Sequence, residues 1–136
     1  MNAICLVVAG VLRATLPTNE VTIAWLHSVE KIRWVERYRV EHDALRLIEA
    51  RIEGSGAGMD PPSDATFAGG GWTWHPAVDP LPHVRLTVSP FARDYDVCDG
   101  DRCRTLTSII ASGSPSSDAR GRIEVVDMQA CRRANG

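Results

Sequence analysis

The sequence has almost no surplus of charge of either sign: 15 Lys and Arg stand against 17 Asp and Glu, a formal net charge of −2. A dedicated nucleic-acid binder would carry a basic face, so no nucleic-acid partner is expected. The one basic concentration, Arg33, Arg37 and Arg39, is a local stripe. Long apolar runs are also missing. The longest, Ala3 to Leu12, falls well short of the roughly 20 residues of a membrane helix, so no membrane-spanning segment is expected. Nor does that run read as an export leader. No basic side chain precedes it and no small-x-small cleavage site follows cleanly, so it is assigned to a strand and the chain to the cytoplasm by default.

Motifs of known chemistry are scarce too. There is no G-x-S-x-G elbow and no H-E-x-x-H. In His27-Ser28-Val29-Glu30-Lys31, neighbouring strand positions point to opposite faces, so His27 and Ser28 do not pair as base and nucleophile. The loop Gly54-Ser55-Gly56-Ala57-Gly58 lacks the G-K-[ST] of a phosphate cradle and runs into Pro61-Pro62 rather than a helix. Gly56 and Gly58 are therefore read as loop positions packing against Trp72 or Trp74. Cys98 and Cys103 have no second ligand pair, and Asp94, Asp96, Asp99 and Asp101 lack calcium-loop spacing. Neither a metal nor a cofactor is expected.

What is present is alternation. With 44% hydrophobic and 24% charged residues, the 136-residue chain has globular composition. It is read as one domain over 1–131 with a frayed tail over 132–136. Val21, Ile23, Trp25 and His27 share one strand phase. Beyond a polar turn at Ser28–Lys31, Ile32, Trp34, Glu36, Tyr38 and Val40 share the next. The opposite phase is mostly charged, which is the two-residue period of a half-buried hairpin. Further strands are expected over Ala44–Ile52 (with a phase slip at Leu47-Ile48), Val84–Val88, Asp94–Val97, Arg104–Ile110 and Ile123–Met128. Many short strands with frequent turn signals predict an all-β antiparallel sandwich or partly closed barrel.

Four cysteines allow two disulfides in three connectivities. Cys98 and Cys103 bracket a turn and face each other across a hairpin. That leaves Cys5 and Cys131 to join the chain ends. Paired cysteines would place the chain in an oxidising, periplasm-like space.

Glu36 lies in the buried phase between Trp34 and Tyr38, where an ionised carboxylate needs a partner or a proton. It is read first as a structural anchor and second as a ligand-lining acid, with His27, Trp25 and Trp34 as the candidate site around it. Four tryptophans against two Phe and two Tyr are read mainly as core, with pocket lining as the alternative.

The blocks Trp25-Leu26-His27-Ser28-Val29-Glu30-Lys31, Trp34 with Glu36, and Gly54 to Pro62 occur in that order. With Gly71-Trp72, Leu86-Thr87-Val88-Ser89 and the Cys98–Cys103 hairpin, the chain resembles the 1850 family of domains of unknown function. The resemblance runs from about Ile4 to Cys131 and implies that Ala3–Ala9 is the first strand of the domain. It implies a bacterial protein encoded beside tripartite transport systems of the TRAP type. A non-enzymatic accessory module touching a TRAP-type permease or its solute-binding protein is the first expectation. A small sensor or enzyme built on Glu36 is the alternative.

Overall fold

The computed structural model describes residues 2–26, 32–54, 61–89, 94–112 and 124–132. The expected turn at 28–31, His27, Gly56 and Gly58 lie outside the described residues. The first strands are β1 (Asn2–Val8), β2 (Val11–Leu16), β3 (Glu20–Leu26), β4 (Arg33–Glu41), β5 (Ala44–Glu53) and β6 (Thr66–Ala68). They are followed by β7 (Gly71–Trp74), β8 (Val84–Val88), β9 (Asp96–Asp99), β10 (Arg102–Thr105), the helix α1 (Leu106–Ser112) and β11 (Glu124–Arg132).

The strands form two antiparallel sheets, a four-stranded one in the order β2-β1-β11-β8 and a seven-stranded one in the order β10-β9-β3-β4-β5-β7-β6. This is a sandwich and not a closed barrel. Its core lies between the sheets. Ile4, Leu6, Leu86, Val126 and Met128 from the smaller sheet meet Val21, Ile23, Tyr38, Val40, Leu45 and Val97 from the larger one. These residues occupy alternate positions on their strands, so the period of two selects the buried face. The slip at Leu47-Ile48 is a bulge: Arg37 pairs with Glu49 and Tyr38 with Leu47, leaving Ile48 unmatched.

The first strand expected over Ala3–Ala9 is β1, Asn2–Val8. The chain then folds back at Ala9-Gly10, both in the left-handed region with φ of 49° and 78°, the geometry of a tight hairpin turn. One expectation is corrected: Arg104–Ile110 is not a strand. After Thr105 the chain becomes α1, because Leu106, Ile109 and Ile110 have helical spacing and a strand would turn one of the last two outward. All three are buried in the core. Thr105 caps the helix: its hydroxyl accepts from the Ser108 amide at 3.4 Å, and the Thr107 amide donates to Asp94 at 3.3 Å.

β11 also runs past the expected Met128 to Arg132, which pairs with Asn2. Along this ladder Cys5 sits opposite Gln129 and Cys131 opposite Ala3. The two cysteines are therefore diagonal neighbours on one face, joined as a disulfide with Cα atoms 5.9 Å apart. Cys98 and Cys103 are direct cross-strand partners in the β9–β10 hairpin and form a second disulfide.

Candidate aromatic site beside Glu36

Register places the aromatic residues in rows across the larger sheet. Trp25 lies opposite Trp34, Trp34 opposite Ile52, Ile52 opposite Trp72 and Trp72 opposite Phe67. One step along the strands, Ile23, Glu36, Ala50 and Trp74 form the next row. Because Ala50 carries only a methyl group, Trp34 and Trp74 lean together over it, edge to face with centroids 6.4 Å apart. Trp25 stacks on Trp34 at 6.2 Å, and Tyr95 tilts against Trp25 at 5.7 Å.

Trp25 packs against the core between the sheets, whereas Trp34, Trp72, Trp74 and Phe67 lie outside that cluster. The tryptophans are half-buried and Phe67 is 52% exposed. The indole Nε1 atoms of Trp34 and Trp72 are buried and have no acceptor among the described residues. At the Trp25 end of the row, a groove of about 420 Å³ is lined by Trp25, Leu26, Arg33, Asp94 and Asp96. This is more than a core requires. Buried donors normally find acceptors, and the half-buried rings of the row leave part of their apolar area open beyond the packed interface.

Glu36 lies in this setting as the pairing of β3 with β4 predicts, opposite Ile23. Its carboxylate accepts from the Tyr38 hydroxyl at 3.0 Å. Burial raises its pKa, and the Tyr38 hydrogen bond only partly offsets this. The neighbouring phenols respond in kind: burial lifts Tyr38 first and the Glu36 charge adds to it. Tyr95 is likewise raised by burial. The group is a half-buried acid that holds its proton to higher pH than a free glutamate, next to two phenols and an indole row. Such a group can hydrogen-bond a polar atom placed against the aromatic row.

The opposite face of the same sheet is different in kind. Arg37 bridges Glu20 at 2.7 Å and Glu49 at 3.0 Å, and Arg39 reaches Glu20 at 3.2 Å. Arg33 contacts Asp96 at 3.2 Å, and Arg46 contacts Glu41 at 2.5 Å. The arginine stripe is thus a ladder of cross-strand ion pairs, which lowers the pKa of Glu20 chiefly through its hydrogen bond from Arg37. The acidic cluster is likewise engaged. Asp96 holds Arg33, and Asp94 accepts from the Thr107 hydroxyl and from the Tyr95 amide, the latter at 2.8 Å. Among the described residues, no three His, Cys, Asp or Glu side chains converge as a metal site.

Of the residues singled out in the sequence, Trp25, Trp34 and Glu36 share one face. Sequence reasoning did not place Trp74, Tyr95 or Phe67 with them. The available signal was the Gly69-Gly70 pair followed by the alternating Trp72-Thr73-Trp74, which marks a hairpin with both indoles on one face. The family model described as a domain of unknown function (DUF1850) matches residues 21–106. That span contains the whole aromatic row and Glu36. No curated protein and no solved structure matches the chain.

Proposed function

The chain belongs to the DUF1850 family of domains of unknown function, and from that premise we propose that it is a non-enzymatic binding module serving a bacterial TRAP-type solute transport system. The observation that carries the binding part is the aromatic row Trp34–Ile52–Trp72–Phe67, outside the core and holding two indole donors without acceptors among the described residues. Half-buried aromatic rows with polar handles are the usual currency of protein recognition. The TRAP linkage rests on the family resemblance, with the permease or its solute-binding protein as the partner. The two disulfides favour an oxidising compartment and hence the periplasmic side.

The test is co-expression of the tagged protein with its neighbouring transporter. Co-purification, lost on Trp34→Ala with Trp74→Ala, and a changed uptake rate on deletion are the expected results. Absence of both co-purification and any change in uptake would sink the reading.

A second reading is favoured by one observation, the half-buried Glu36 carboxylate held by the Tyr38 hydroxyl at 3.0 Å with no cation against it among the described residues; burial raises its pKa. Here the same face holds a small molecule and the protein acts as its sensor. Glu36→Gln would then abolish ligand binding while leaving the unfolding transition in place. A variant that simply unfolds would make Glu36 a structural anchor instead.

A further inference from the structure

At the far edge of the larger sheet a second recess lies between β10, α1 and the end of β2. It has a volume of about 160 Å³ and is lined by Leu16, Pro17, Val97, Asp99, Arg102, Arg104 and Ile109. Leu16, Val97 and Ile109 are buried and give it an apolar floor. Its rim is charged. Arg104 lies opposite Val97 and Arg102 opposite Asp99, so both guanidinium groups project from the same face of β10.

With Arg132, which lies away from the recess on β11, these two arginines stand apart from the other described ones. Arg33, Arg37, Arg39, Arg46 and Arg85 each hold a carboxylate. Arg13 donates to the Ile110 carbonyl and Arg51 to Thr73. Arg102 and Arg104 are exposed and have no partner among the described residues. Two free guanidinium groups against the single carboxylate of Asp99 leave the rim net positive above an apolar floor.

We infer that this recess binds a carboxylate attached to a short aliphatic group. The carboxylate lies across the Arg102 and Arg104 guanidinium groups, which match its planar geometry with paired N–H donors. The aliphatic part covers Leu16, Val97 and Ile109. The volume equals that of roughly five water molecules, which limits the ligand to a short chain. A free aliphatic acid and the C-terminal residue of a peptide both present this chemistry. The recess lies on β10, two strands from Trp25 and at the edge away from Trp72 and Phe67, and the inference does not rest on the function proposed for the aromatic row.

The experiment is an amide chemical-shift titration of the full oxidised chain with butyrate and hexanoate, and with a valine-terminated tripeptide. Their uncharged counterparts, hexanamide and the amidated tripeptide, run in parallel. The expected result is saturable shifts at Leu16, Val97, Ile109 and Arg102 to Arg104 for a carboxylate but not for its amide. Arg102→Gln with Arg104→Gln should weaken binding at least tenfold, with amide dispersion showing that the fold is kept. Arg132→Gln, an exposed arginine outside the recess, should leave binding unchanged. Saturation by the fatty acids assigns a free acid as ligand. Saturation by the tripeptide alone assigns a peptide terminus. No saturable shift with either, equal response to the amides, or full affinity in the double variant overturns the inference.

Discussion

The disulfide between Cys5 and Cys131 is the covalent link on which the fold should depend most. Its cysteines are 126 residues apart in sequence, whereas Cys98 and Cys103 are separated by 5. Loop-closure entropy grows with the logarithm of loop length, so the first bridge should stabilise the fold by about 5 kcal/mol and the second by about 2 kcal/mol. Against a typical domain stability of roughly 5–15 kcal/mol, the first loss is severe and the second tolerable. The bridge also joins β1 to β11, the central pair of the smaller sheet, so breaking it frees both chain ends at once. The measurement is urea unfolding, followed by tryptophan fluorescence, of Cys5→Ala/Cys131→Ala and of Cys98→Ala/Cys103→Ala. Comparing each with the fully reduced wild type separates lost packing from lost closure. The terminal pair should cost about 3 kcal/mol more than the hairpin pair. Equal losses, or free alkylation of all four thiols in the unreduced native protein, would refute the reasoning.

Three further outcomes follow from single positions. Burial raises the pKa of Glu36, so the folded state binds that proton more tightly than the unfolded chain does. Stability is then lost as pH rises through the interval from the unfolded to the folded value. Glu36→Gln should match wild type below the ordinary glutamate value of about 4.3 and exceed it increasingly toward neutral pH, by about 1.4 kcal/mol for each pH unit between the two values. Glu20, with its lowered pKa, gives the opposite slope in both proteins and cancels in their difference. A pH-independent difference in urea midpoints would count against the buried acid. Gly71→Ala places a Cβ 2.7 Å from both the Ile52 carbonyl oxygen and an Arg51 guanidinium nitrogen. Since the backbone oxygen cannot swing aside, a loss of about 1–3 kcal/mol, with altered tryptophan emission, is expected in thermal melts. Ala9→Asn replaces an alanine at φ 49° by the residue favoured before Gly in such turns, and should raise the melting temperature by about 3–5 °C.

The sequence made the large sheet legible because alternation is strong in β3 and β4, and because a two-residue period has one reading once arginines fill the other phase. The pairing of Glu36 with Ile23 and the bulge near Ile48 followed from counting. The helix was lost for a physical reason. Leu106-Thr107-Ser108-Ile109-Ile110 is rich in β-branched residues and short enough to pass as a strand, and only its packing against β2 decides the matter. The end of the first strand at Ala9 was legible, but β2 beyond it was not, because Val11 and Leu12 continue the apolar run and Gly10 is the one turn signal. The aromatic site was half legible. Trp25 and Trp34 share a hairpin and can be paired by counting, but Trp74 reaches them across β5, and no local pattern encodes that neighbour.

The electrostatics sort the surface of the larger sheet into three zones. Cross-strand ion pairs of the kind lining its outer face contribute roughly 0–1 kcal/mol each. Collectively they leave little uncompensated charge beyond the screening length of about 8 Å at physiological salt. That face therefore offers neither a long-range field nor apolar area to a partner. The indole row and the Arg102–Arg104 rim, the two binding sites proposed above, instead hold groups without complements among the described residues. β10 and β7 are five strand steps apart in the sheet order, which is about 24 Å at the usual strand spacing. A protein partner covering Trp72 and Trp74 would leave the recess at β10 open, so the two can be occupied together. Glu36 is nearer: the row Arg104–Val97–Ile23–Glu36 spans three strand steps, about 14 Å. An anion in the recess therefore couples to Glu36 more strongly than to Trp72 or Trp74, and partial burial of Glu36 limits the screening between them.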